Sequence, residues 1–204
     1  MKKIYIVSPM GSGNTFFHTV LLDKINANIE CTGHYTKLIH SVGNYIIFFR
    51  NPYDSISSSI ERHLPSSNDK FILDVDPTEI SNIAKINELY RFYSSEYVKF
   101  FDRQYLNNPN ILRITFDFAI NNESRFITTV SNFFNVENYN KEQDLEIRAS
   151  AKNKIITYGF ENRLPRKKSN DRLIIDNIVA NMDNIEDIYS QYLLTKQEIE
   201  NSLT

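Results

Sequence analysis

The stretch YIVSPMGSGNTFFHTVLLDKI, residues 5–25, carries the most informative pattern of the chain. It starts with a short apolar run, turns at Gly11 and Gly13, and continues as a segment with regularly spaced apolar residues. The pattern predicts a strand over residues 3–8, a glycine loop, and a helix from residue 14 to about 25. This order presents the amide groups of a helix N-terminus to an anion. The loop lacks the lysine of the nucleotide-hydrolase motif G-x-x-x-x-G-K-[ST], so the anion must be bound without it.

The composition is that of a soluble globular protein. The chain has 204 residues, 41% of them hydrophobic and 24% charged, which suits a single domain over residues 1–204. The net charge of −2 argues against broad nucleic-acid binding. The single cysteine, Cys31, excludes an intramolecular disulfide and is typical of a reducing compartment. The N-terminal apolar run, residues 4–7, is too short for a signal peptide or membrane span, so we expect a cytoplasmic protein without membrane contact.

Two further apolar runs indicate strands that are buried on both faces. They are NYIIFFR, residues 44–50, and NILRITF, residues 110–116. The spacing of apolar residues predicts a long helix over about 77–105 and a further helix over 126–136. We therefore predict an α/β fold, a three-layer α/β/α arrangement with a mainly parallel central sheet. Ligands of such sheets bind beyond the carboxyl ends of the strands, where the loop Gly11–Thr15 and Arg50 both lie.

The second motif is IIFFRNPYDSISSSI, residues 46–60. Arg50 follows a strand, and a helix starting near Asp54 brings Ser58 onto its early turns. Arginine offers a permanently charged donor fork and serine a neutral donor, so the two can converge on one phosphate. The alternative is that Arg50 pairs with the nearby Asp54 and has a structural role.

Taken together, the two motifs resemble the sulfotransferases that use 3′-phosphoadenosine 5′-phosphosulfate (PAPS). The resemblance implies a P-loop-containing nucleotide-hydrolase-like fold, PAPS as co-substrate, 3′-phosphoadenosine 5′-phosphate (PAP) as product, and no metal. It assigns Arg50 and Ser58 to the 3′-phosphate and Phe16 to packing against adenine. The 5′-phosphosulfate loop by this resemblance comprises Gly11, Ser12, Gly13, Asn14 and Thr15.

Later segments extend the resemblance. The triplet Phe116–Phe118 stands where the family has a Tyr-Glu-Asp-like triplet after a strand. The run RLPRKKSNDR, residues 163–172, resembles the basic loop that closes over the 3′-phosphate, with Arg166 and Lys167 as the best matches. We expect this closing loop over residues 160–172, and a lid is one reading of the polar segment 64–76.

Many members of this family carry a lysine or arginine where this chain has Gly11. That cation meets the charge that accumulates on the leaving phosphate oxygen, and loss of one such donor typically costs about 3 kcal/mol. The main-chain amides of residues 11–15, the Ser12 and Thr15 hydroxyls and Lys37 are candidate substitutes.

The acceptor of a sulfuryl group, a hydroxyl or an amine, requires a general base. The resemblance places such a base before the second strand, which favours His34, and His63 after the Ser58 helix is a second candidate. No histidine or cysteine spacing indicates a metal site. The acceptor itself, a small molecule or a carbohydrate, and the oligomeric state are not indicated.

Three alternatives remain open at this stage. The chain can be a non-catalytic or degenerate PAP- or PAPS-binding protein, a nucleotide-kinase-like P-loop protein, or a structural interaction protein. The first keeps the paired anion motifs, the second requires a loop lysine that is absent, and the third leaves the motifs unexplained.

Overall fold

A computed structural model describes residues 2–40, 42–64, 80–137 and 170–203 of the chain. In these residues four strands form one sheet in the order β2-β1-β3-β4: β1 (Lys3–Val7), β2 (Asn28–Gly33), β3 (Tyr45–Phe49) and β4 (Ile111–Thr115). All neighbouring pairs are parallel. The predicted α/β fold with a parallel sheet is confirmed.

Eight helices surround the sheet in the described residues. They are α1 (Asn14–Lys24), α2 (Pro52–His63), α3 (Ile80–Val98), α4 (Arg103–Leu106), α5 (Phe116–Asn121), α6 (Glu123–Phe134), α7 (Asn170–Ala180) and α8 (Ile185–Ser202). Two 3₁₀ segments, Thr36–Leu38 and Lys99–Phe101, complete the description.

The central strand β3 shows why the layers form. All five of its residues are buried, as expected for a parallel strand covered on both faces. Ile46 and Phe48 pack with side chains of α1 and α6. Tyr45, Ile47 and Phe49 pack on the opposite face with Phe100 and side chains of α8. The sheet is therefore the middle of three layers.

The predicted helix 77–105 is wrong at its C-terminal end, and residues 77–79 of it lie outside the described residues. α3 ends at Val98, and after the 3₁₀ segment the extended residue Asp102 caps α4 by accepting a hydrogen bond from the Gln104 amide. The aromatic stripe of this region is buried, as the helical spacing indicates for Tyr90, Tyr93, Tyr97 and Phe100. Ile83, in contrast, is 37% exposed.

Other boundaries differ by a few residues. α2 begins at Pro52, not near Asp54, because Asn51 caps it and proline suits the first helical position. α6 spans Glu123–Phe134 instead of 126–136. The sequence predicts no strand over 28–33, because β2 is an edge strand with an irregular burial pattern. It predicts no helix over 185–202 either.

Most of the two predicted loops lies outside the described residues. Of segment 64–76 only Leu64 is described, and of segment 160–172 only residues 170–172, which are the start of α7. Among the described helices, none is both long enough and apolar enough to cross a membrane. The described residues also contain no cluster of three or more histidine, cysteine or acidic side chains suited to a metal ion.

Candidate functional site

The carboxyl ends of the four strands bring the candidate residues to one edge of the sheet. Because the strands are parallel, the segments after β1, β2, β3 and β4 all emerge there. These segments contribute the glycine loop, His34, Arg50 and Phe116, respectively. The sequence predicted the first and third of these at a common edge.

The glycine loop leads directly into the N-terminus of α1. Ser8 anchors its start, since the Ser8 hydroxyl accepts a hydrogen bond from the Phe48 amide at 2.7 Å. Gly11 and Gly13 have φ angles of 80° and 84°, a region that glycine adopts without strain. Gly13 caps α1, and the first turn contains no acidic residue. The first-turn amides therefore supply positive potential that no side chain of that turn neutralises.

The loop lies tightly on α2. The Ser55 hydroxyl donates to the Met10 carbonyl at 2.5 Å and is 3.4 Å from the Ser12 hydroxyl. A Cβ atom on Gly11 would lie 2.3 Å from the Ser55 carbonyl oxygen. A lysine at position 11 is thus sterically excluded in this arrangement, and the glycine follows from the close approach of loop and helix.

Arg50 connects the loop to the end of β3. Its Nη1 donates to the Gly11 carbonyl at 2.9 Å, and its guanidinium carbon lies 4.7 Å from the centre of the Phe116 ring. The Tyr97 hydroxyl donates to the Arg50 carbonyl. Burial lowers the pKa of Arg50, and the carboxylate of Asp54 acts in the opposite direction. An arginine keeps its charge under such shifts, so the site contains a partly desolvated cation.

Asp54 pairs with a different arginine. Among the described residues, the ion pair of Asp54 is with Nη2 of Arg172 at 3.6 Å, and the same nitrogen donates to the Asp54 carbonyl at 2.9 Å. Arg172 also bonds Glu61 at 3.3 Å and Asp176 at 2.7 Å, and it is only 5% exposed. The alternative that Arg50 pairs with Asp54 is therefore not what the structure shows. Arg172 joins α7 to α2, a role that the sequence does not predict.

Ser58 lies on the second turn of α2 and is 7% exposed. The helix that carries it starts two residues after Arg50, with the Asn51 side chain accepting from the Tyr53 amide at 3.0 Å. Its hydroxyl makes no hydrogen bond to the described residues. Ser58 is thus available as a donor near the strand end that carries Arg50.

His34 contacts the glycine loop directly. Its Nδ1 lies 3.2 Å from the Ser8 carbonyl oxygen and 3.3 Å from Nδ2 of Asn14. Nδ2 of Asn14 also donates to the Gly33 carbonyl at 3.1 Å. The tertiary structure therefore brings the residue after β2 against the first residue of α1.

His34 also lines a crevice between the loop, α2 and α3. The other lining residues are Met10, Tyr35, Ile56, Phe92, Tyr93, Glu96 and Tyr97. In this conformation the crevice admits little more than a water molecule. Phe92, 46% exposed, is the lining ring most open to solvent, so its movement would widen the entrance.

His63 occupies a different environment. It lies at the C-terminal end of α2 with Nδ1 2.8 Å from the Ser59 carbonyl oxygen, and its ring centre is 5.6 Å from that of Tyr93. It does not line the crevice. Tyr93 separates the two candidate bases, because it contacts His63 and also lines the crevice.

The remaining predicted residues are placed as follows. Thr15 is in the first turn of α1, and Phe16 is partly buried with its ring edge-on to Phe17 at 5.3 Å. Lys37 is exposed, with its ammonium 5.4 Å from the centre of the Tyr35 ring. Arg166 and Lys167 lie outside the described residues.

Comparison with known proteins supports the fold. No protein-family model matches the chain, and no curated protein matches it either. Among solved structures, the chain is similar to mouse sulfotransferase SULT7A1 crystallised with PAP, with 13% sequence identity and a TM-score of 0.52. The match covers 99% of this chain and 88% of the mouse protein. The chain therefore has a P-loop-like α/β fold of the sulfotransferase type.

Proposed function

We propose that the protein is a sulfotransferase that moves a sulfuryl group from PAPS to a hydroxyl or amine acceptor. The observation that carries the proposal is the contact between Arg50 and Gly11, because it unites the two predicted anion motifs in one site. The fold shared with a sulfotransferase that was crystallised with PAP adds support.

The donor would bind along the carboxyl edge of the sheet. The amides of residues 13–16 at the N-terminus of α1 suit the 5′-phosphosulfate, since that turn contains no acidic side chain. Arg50 and Ser58 suit the 3′-phosphate, one as a charged fork and the other as a neutral donor. Phe16 lies in the first turn of α1, and the Phe116 ring packs against the Arg50 guanidinium. Of these two rings, Phe16 is the one we assign to the adenine.

In the reaction, the acceptor oxygen or nitrogen attacks sulfur while the bond from sulfur to the bridging phosphate oxygen breaks. PAP leaves with the bonding electron pair, and the base removes the acceptor proton. Negative charge builds up on the leaving phosphate, so preorganised donors aimed at it accelerate transfer. Here the helix N-terminus supplies those donors in place of the family lysine, which position 11 cannot accommodate.

The crevice beside His34 is the proposed acceptor site. Its wall consists mainly of aromatic and aliphatic side chains, and its acidic member, Glu96, pairs with Lys99. Such a lining favours a small molecule with an apolar body over a polyanionic carbohydrate, which a carboxylate would repel. His34 then acts as the general base.

The test is calorimetric titration with PAP. We expect micromolar binding by the wild type and at least tenfold weaker binding by Arg50→Ala, since a hydrogen bond to a charged group contributes about 1.5–3 kcal/mol. Arg91→Ala, which removes an exposed arginine of α3, is the matched control and should bind normally. Absence of binding by the wild type at millimolar PAP contradicts the proposal.

A second candidate is a PAP- or PAPS-binding protein without catalytic activity. Such a protein would bind PAP as the enzyme does, but it would not transfer the sulfuryl group to an acceptor. Incubation with labelled PAPS and a panel of phenols, alcohols and amines separates the two, because only the enzyme forms a labelled acceptor. Binding with no labelled product from any acceptor favours the binding protein.

A further inference from the structure

Two groups with opposite requirements meet at one nitrogen of His34. The Ser8 carbonyl oxygen, 3.2 Å from Nδ1, can only accept a hydrogen bond. Nδ2 of Asn14, 3.3 Å from the same atom, can only donate one. Nδ1 satisfies Ser8 when it carries a proton and Asn14 when it carries a lone pair. The choice between these two contacts of Nδ1 therefore fixes which nitrogen of the neutral ring holds the proton.

The surroundings of Asn14 favour the second arrangement. Asn14 is 2% exposed, and one hydrogen of Nδ2 is already directed to the Gly33 carbonyl. Its Oδ1 has no hydrogen-bond partner among the described residues. If Nδ1 carried the proton, the second hydrogen of Nδ2 would face it and would have no acceptor. The Asn14 amide would then have two buried groups without a partner among the described residues, Oδ1 and this hydrogen. Buried donors without partners are rarer in proteins than under-satisfied carbonyls, so Ser8 is the weaker competitor.

We propose that Asn14 is a positioning residue that holds His34 in the tautomer protonated at Nε2 as long as the anion site is empty. This inference rests on the proposed function, since it concerns the base of that reaction. In this tautomer Nε2 carries a hydrogen and does not accept a proton from an acceptor hydroxyl. His34 becomes a base at Nε2 only when its proton moves to Nδ1 and is donated to Ser8.

The position of Asn14 in the chain couples this change to the donor. Asn14 is the first residue of α1, and its main-chain amide belongs to the proposed anion cradle. An anion there repels the unpaired Oδ1 and attracts Nδ2, which draws the Nδ2 hydrogen away from His34. Donor binding thus prepares the base, and the acceptor is not deprotonated before the donor is in place.

The test reads the tautomer directly. Long-range proton–nitrogen NMR correlations of the imidazole rings are recorded on the 15N-labelled full chain at about pH 8, where an ordinary imidazole is neutral. His34→Asn identifies the His34 signals among the four histidines. We expect the ligand-free wild type to be protonated at Nε2. Asn14→Ala and the near-isosteric Asn14→Asp should both be protonated at Nδ1, since neither side chain donates a hydrogen bond.

Asn44→Ala is the matched control, because Asn44 also donates from its side chain to a main-chain carbonyl, that of Lys3 at 3.2 Å, but has no histidine partner. It should leave the His34 signals unchanged. Protonation of Nδ1 in the ligand-free wild type overturns the proposal. If Asn14→Ala does not fold, Asn14→Asp decides alone, and a tautomer unchanged from that of the wild type overturns the proposal.

Addition of PAP tests the coupling. We expect the wild-type proton to move from Nε2 to Nδ1 on saturation. PAP that binds by calorimetry without changing the tautomer overturns the coupling. If PAP does not bind, the proposed function is contradicted. The role of Asn14 is still decided in that case, because the tautomers of the ligand-free wild type and of the Asn14 variants are measured without PAP.

Discussion

The α-carbon of Gly11 packs against the main-chain oxygen of Ser55, so closely that an added Cβ atom would lie 2.3 Å from that oxygen. The contact joins the loop after β1 to the helix after β3. It accounts for the absent loop lysine by geometry, since any side chain at position 11 would separate the two anion motifs.

Gly11→Ala should therefore lower the free energy of unfolding by more than about 2 kcal/mol. A left-handed backbone costs a non-glycine residue about 1–2 kcal/mol, and the overlap with Ser55 adds about 1–3 kcal/mol. Gly11→Lys should be at least as unstable and should not gain sulfotransferase activity. Urea denaturation measures both changes.

Ser12→Ala is the control for this experiment, because it removes a hydroxyl from the same loop without adding atoms. Its effect on stability should stay within about 1 kcal/mol. A Gly11→Lys variant that is as stable as the wild type and more active would show that the loop and α2 can separate, contrary to the packing described.

The two neighbouring serines of α2 should behave differently. Ser58→Ala should weaken PAP binding about tenfold, since one hydrogen bond to a charged phosphate is lost, and should leave adenosine 5′-phosphate binding unchanged. Ser57 is fully buried and its hydroxyl has no partner among the described residues. Ser57→Ala should bind both nucleotides normally and be as stable as the wild type or slightly more so. Calorimetry with the two nucleotides checks the contrast, and equal losses for PAP and adenosine 5′-phosphate in Ser58→Ala would speak against a 3′-phosphate contact.

The two histidines differ in their predicted contribution to turnover. His34→Asn should reduce kcat about 10²–10⁴-fold, the usual contribution of a general base, with PAP affinity retained. His63→Asn should leave kcat unchanged, because His63 is outside the crevice that contains His34. Initial rates with labelled PAPS and the acceptor selected by the screen provide the measurement. If kcat falls only in His63→Asn, the general base is His63 and the prediction is wrong.

The buried tyrosines predict alkaline unfolding. Burial raises the pKa of Tyr90 and of Tyr93 to about 12, whereas a tyrosine in the unfolded chain titrates near 10. Because the folded pKa values are the higher ones, the stabilisation is complete below pH 10 and is lost as the pH rises towards 12. We expect the free energy of unfolding to fall across this window.

Phenolate absorbance combined with circular dichroism measures this effect. The buried tyrosines should ionise only together with the loss of helical signal, and Tyr93→Phe should show a shallower decline of stability with pH. Ionisation of all 12 tyrosines near pH 10 in a chain that stays folded would contradict the prediction.

The elements with strong local patterns could be predicted from the sequence. Continuous apolar runs defined β1, β3 and β4, and the glycine turn followed by helical spacing defined α1, because period and turn chemistry are local properties. The order of strands and helices then placed the glycine loop and Arg50 at one edge of a parallel sheet. β2 was not predicted, because an edge strand with polar residues lacks such a pattern. The end of α3 at Val98 was not predicted either, because the apolar spacing continues to Phe100.

The partners of the site residues, in contrast, follow from the tertiary structure. Arg50 was predicted to bind either a phosphate or Asp54, but the partner of Asp54 in the described residues is Arg172, which lies more than a hundred positions away in the chain. The contacts of Gly11 with Ser55 and of Asn14 with His34 likewise join segments that follow different strands. Such contacts leave no trace in local spacing, because they arise when parallel strands bring distant segments to the same edge of the sheet.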